Sequence, residues 1–156
     1  MISFFFQKLS SASYSMLAKY KHGGAPHWRG WIAERCMFSA YWVYENFSVP
    51  GKDNARALIE LSNAKAQILI QYGVLPAAVD ELRDAIKHEC FSEAGNCREK
   101  GILFNLLAIT LFHLGDNPEP SLIAAIREWE AIDDEIQSEF ARQQLAEYHI
   151  YLERDS

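Results

Sequence analysis

A chain of 156 residues with 49% hydrophobic side chains has the size and composition of one folded domain, which excludes a disordered chain. Its net charge of −6 is unevenly spread: residues 1–50 carry five basic and two acidic groups, 51–100 seven and eight, and 101–156 three and eleven. The acidic last third argues against a nucleic-acid groove there and permits a basic protein partner, since opposite fields speed encounter.

Apolar residues recur at helical spacing almost throughout, so the pattern predicts an all-α fold of about seven helices in antiparallel hairpins. An amphipathic helix is expected over 2–20. Its apolar run is cut at Gln7 and Lys8, too early for a signal-peptide core. It stops at Gly23, Gly24 and Pro26. A second helix follows over 28–47 with Trp28, Trp31, Phe38, Tyr41, Trp42, Tyr44 and Phe47. Twelve of the twenty aromatics precede residue 48, so the hairpin 1–48 is aromatic-rich and its second helix is a candidate homodimer surface.

The third helix is expected over 53–72, with Asp53 near its start and Gly73 at its end. Pro76 opens a fourth over 76–90, because the first helical position needs no N–H. The stretch "CFSEAGNC" reads as a loop. A fifth helix covers 98–114 and ends at Gly115; a sixth runs from the "DNPEP" turn to about 132. A charged seventh covers 135–153. With no domain-scale linker, 1–156 reads as a single helical domain.

Ala66, Leu69, Gly73, Ala78, Leu82 and Ala85 fall at offsets that let two helices approach closely. Phe104, Leu107, Ala108, Leu111 and Gly115, then Ala125, Trp129 and Ile132, repeat the scheme after an insertion. The stretch 60–132 resembles tetratricopeptide helical hairpins. Ser62 and Cys90 depart from that pattern, and the period is about 42 rather than 34 residues. A generic antiparallel bundle is the alternative. The resemblance implies an inner, partner-binding face of Asn63, Gln67, Ile70 and Gln71 with Asn105, Ile109, Phe112 and His113. The same apolar residues could simply be core.

Chemistry is sparse. No phosphate-binding glycine loop and no G-x-S-x-G elbow occur. His88, Cys90 and Cys97 form the nearest metal or thiol cluster, with Cys36 or His113 as a further ligand. Asp133, Asp134, Glu135 and Glu139 make an acidic helix start that could meet a partner. The segment 66–83 has helix-turn-helix spacing, but Asp80, Glu81 and Asp84 oppose phosphate. Three cysteines, no secretory pattern and no membrane span suggest free thiols in the cytoplasm. The expectation is a non-catalytic, cofactor-free protein-binding protein. It could be an inhibitor such as a bacterial toxin-immunity protein, or a peptide-binding scaffold. A metal- or thiol-dependent enzyme using His88, Cys90 and Cys97 is the further alternative.

Overall fold

The computed structural model describes residues 7–8, 28–47 and 51–154. Among these the chain forms helices and no strand. The helices are α1 (Trp28–Phe47), α2 (Lys52–Gln71), α3 (Leu75–Lys87), α4 (Glu89–Glu93), α5 (Arg98–Leu114), α6 (Glu119–Glu130) and α7 (Glu135–Arg154). The expected all-α class therefore holds. Of the helix expected over 2–20, only Gln7 and Lys8 are described, and both are helical. The turn at Gly23, Gly24 and Pro26 lies outside the described residues.

The chain divides into two compact units, Met1–Gly95 and Asn96–Ser156. In the first, α2 packs on α1, α3 and α4. Its core is aliphatic and small: Met37, Ala40 and Val43 of α1, Leu58, Ile59, Leu61, Ala64 and Ala66 of α2, and Ala78, Val79 and Leu82 of α3. Three aromatics of α1 do not join that core. Trp31, Phe38 and Trp42 stay exposed, on one stripe at i, i+7 and i+11. Tyr41 instead turns its hydroxyl to Glu81 Oε1 at 3.1 Å, while Lys65 Nζ meets Glu81 Oε2 at 2.5 Å. This polar cluster ties α1, α2 and α3 together.

The helix that begins at Leu75 stops at Lys87 rather than residue 90, and the loop after it contains α4. His88 takes an extended backbone (φ −67°, ψ 140°), which breaks the first helix and caps the second. Its Nδ1 accepts the Cys90 N–H at 3.3 Å. The segment is held on the start of α2, where Gly51 N–H donates to Glu93 and Arg56 Nε donates to the Ala94 carbonyl.

In the second unit α6 packs on both α5 and α7. Trp129 of α6 is 1% exposed and joins Ala125 and Ala141, with Ile102, Phe104, Ile126 and Ile132 against them. Gly115 terminates α5 in the left-handed region (φ 80°), a backbone conformation that strains residues with a side chain. Its turn sends the Asp116 N–H back to the Leu111 carbonyl at 3.0 Å, a Schellman closure. Side chains also bind backbone N–H groups at the start of the next two helices. Asn117 Oδ1 accepts from Glu119 N–H at 2.9 Å, and Asp134 Oδ1 from Gln137 N–H at 3.2 Å. No described helix is long and apolar enough to cross a membrane.

Candidate functional site

An aromatic-walled concavity lies inside the second unit. It is a cleft of about 220 Å³ bounded by Ala108, Ile109 and Phe112 of α5, Pro118 and Leu122 around the start of α6, and Gln144, Glu147, Tyr148 and Tyr151 of α7. The α7 residues follow i, i+3, i+4 and i+7, so one helix face carries all four. Phe112, Ile109 and Ala108 likewise share a face of α5.

Three rings meet there. Phe112 lies edge-to-face with Tyr151 (centroids 5.8 Å apart, 77°) and with Tyr148 (6.2 Å, 87°). Edge-to-face contact presents the positive ring edge to the negative ring face, which fixes the rings relative to one another. Phe112 and Tyr151 remain about half exposed, so the rings wall an open cleft rather than close a core.

Two amide oxygens on these helix faces lack a donor among the described residues. Gln144 Oε1 is buried and has no hydrogen-bond partner among the described residues. The same holds for Asn105 Oδ1, one turn below Ala108 and Ile109 on the same face of α5. Glu147 is exposed at the rim and forms no ion pair among the described residues. A buried carbonyl oxygen without a donor is costly, so each amide is a place where an N–H would be bound favourably.

The inner face expected by the tetratricopeptide resemblance is distributed differently. Asn63 is fully enclosed and Gln67 nearly so, which places them in the interior of the first unit rather than on an open partner-binding face. Ile70 is half-buried and Gln71 is exposed. On α5, Asn105 and Ile109 are half-buried, while Phe112 and His113 are exposed. Of this set only Ile109 and Phe112 reach the cleft.

The acidic helix start is brought together in part. Asp133, Glu135 and Glu139 surround a shallow depression with Glu130 and Arg142. Arg142 bridges Glu130 of α6 and Glu139 of α7, the latter at 3.2 Å. These hydrogen bonds hold its guanidinium above the ordinary pKa. Asp134 is occupied as the α7 cap. Asp133 takes a left-handed backbone (φ 57°), a conformation that aspartate tolerates better than most residues.

His88 and Cys90 are adjacent, with Nδ1 and Sγ 2.9 Å apart, on the wall of a separate cavity of about 330 Å³ with Tyr44, Ser62, Glu81 and Asp84. Cys97 belongs to the other unit, and all three cysteines are free thiols. Burial pushes the Cys97 thiol up, partly offset by the Lys100 backbone hydrogen bond; burial pushes Cys36 up as well. Among the described residues, no group of three or more His, Cys, Asp or Glu could hold a metal ion.

The cleft residues Gln144, Glu147, Tyr148 and Tyr151 do not stand out in the sequence, because charge dominates α7. Their i, i+3, i+4, i+7 spacing is the signal that could have found them. Compared with known proteins, the chain matches no family model, no curated protein and no solved structure.

Proposed function

We propose that this chain is a protein-binding protein whose partner presents a basic surface, acting without chemistry of its own. The observation that carries the reading is charge segregation. Residues 96–156 hold five basic and twelve acidic side chains, a net of −7, whereas residues 1–95 hold ten and nine. A field of one sign concentrated on a unit with an open aromatic cleft favours encounter with the opposite sign. Inhibition of a basic enzyme or toxin, as by an immunity protein, is the specific form we favour. Such inhibitors act by covering a positively charged surface and need only a complementary one.

The test is kinetic. Co-purification from the source cell identifies a partner, and surface plasmon resonance then follows its association from low to physiological salt. The association rate should fall steeply as the Debye length shrinks from about 30 Å to about 8 Å. A rate indifferent to salt sinks the reading.

A second reading, thiol chemistry at Cys90, draws support from the short His88 Nδ1 to Cys90 Sγ distance. The same nitrogen also accepts the Cys90 backbone N–H, which is the ordinary work of a cap. Iodoacetamide labelling discriminates between the two. If His88→Ala leaves the Cys90 labelling rate unchanged, the histidine does not activate the thiol.

A further inference from the structure

We infer that the cleft between α5 and α7 receives the side chain of an arginine from the partner protein. This rests on the basic-partner reading above and names the group that is gripped. Three features define the occupant.

The first is size. A cleft of about 220 Å³ is smaller than the roughly 300–1,000 Å³ that encloses a drug-sized ligand, so it admits one side chain rather than a whole molecule. The second is the wall. Phe112, Tyr148 and Tyr151 offer π faces, and such faces attract a cation within about 6 Å of the ring centroid. The third is the polar set. Gln144 Oε1 is a buried acceptor without a donor, and Glu147 is a carboxylate at the rim without an ion pair among the described residues.

A guanidinium matches all three. It is planar, so it stacks on a ring. It carries five N–H donors and no acceptor, so it can donate to the Gln144 amide oxygen while its charge faces the Glu147 carboxylate. A lysine ammonium brings charge but no stacking plane and is more strongly hydrated. An aliphatic side chain would leave the amide oxygen unsatisfied.

The experiment is an aromatic ¹H–¹³C NMR titration of the full chain with N-acetyl-arginine amide. N-acetyl-lysine amide and the neutral isostere N-acetyl-citrulline amide serve as controls. Saturable shifts of the Tyr148 and Tyr151 ring signals are expected with arginine, and binding roughly fivefold weaker with either control. Tyr148→Leu and Glu147→Gln should each weaken arginine binding by several fold. Glu147 is exposed, so its variant tests the site even if Tyr148→Leu does not fold.

No saturable shift, equal response to citrulline, equal response to lysine, or full affinity in Glu147→Gln would each overturn the assignment. The two proposals fail separately. Salt-sensitive partner binding that survives both substitutions removes the arginine site and leaves the basic partner. Saturable arginine binding, in a chain whose partner association ignores salt, removes the basic partner and leaves the site.

Discussion

The indole of Trp129 lies so close to the backbone of Gly101 that no side chain fits between them. A β-carbon built on Gly101 would collide with Nε1, Cε2 and Cδ1 of the ring, at 2.7 Å for the furthest of these three. Gly101 sits in the first turns of α5, where alanine would be favoured by about 1 kcal/mol on propensity alone. The close approach of α6 outweighs that preference.

Gly101→Ala should therefore destabilise the second unit, by about 1–3 kcal/mol, despite the better helix former. Chemical denaturation checks this. A stability equal to or above that of the parent chain would show that the indole can move aside.

Trp129 is nearly fully buried, and its Nε1 has no acceptor among the described residues. Trp129→Phe removes that orphaned donor while keeping most of the ring. It should cost clearly less than Trp129→Ala, for which about 3–5 kcal/mol is expected. Equal losses in the two variants would mean that ring volume contributes little.

Asp134 caps α7 through Gln137 N–H. Asp134→Ala should lower stability by about 1 kcal/mol, and Asp134→Asn by much less. A loss of partner binding in Asp134→Ala with no change in melting would reverse this assignment and make the residue a contact.

Gln67 and Phe112 should now behave differently from each other. Gln67→Ala is expected to lower the melting temperature, since the side chain is 8% exposed inside the first unit. Phe112→Ala should reduce arginine and partner binding, because it removes the ring that contacts both tyrosines. Parallel melting curves and titrations separate these outcomes. A Gln67→Ala chain with an unchanged melt would return that residue to the list of surface candidates.

Alkaline pH should weaken the fold. The Cys97 thiol is raised above its ordinary value of 9.0 by burial, so the folded state keeps its proton longer than the unfolded state. Stability from this group is complete below about pH 9 and is lost as pH rises toward the folded value. Cys36 and Tyr44, also raised by burial, act in the same direction. Cys97→Ala should flatten part of the decline in denaturation midpoint above pH 9. An identical pH slope in the variant would show that Cys97 contributes nothing to it.

The helix boundaries were legible where local chemistry sets them. Gly73 and Gly115 mark ends because they take positive φ at little cost, and Pro76 marks a start because its fixed φ and missing N–H suit a first turn. The core pattern Ala66, Ala78, Leu82, Ala125 and Trp129 was also readable from spacing, and all five are buried. Helix α4 was not legible. Five residues cannot show a period, and the device that starts it is one histidine cap. Asn63 and Gln67 misled for another reason: polarity suggests surface, and burial of an amide depends on neighbours far along the chain. The cleft was hidden likewise. Its walls come from three helices, and Tyr148 and Tyr151 gain meaning only when Phe112 faces them.

Trp129 has one more use. It is the sole tryptophan of residues 96–156, and its indole is sealed from water, while Trp31 and Trp42 are open to it. Emission from these three indoles thus divides into a blue component from Trp129 and a red one from Trp31 and Trp42. Iodide will quench the red light and spare the blue. A natural fluorophore placed so selectively lets each half be watched as it melts, without attaching a label.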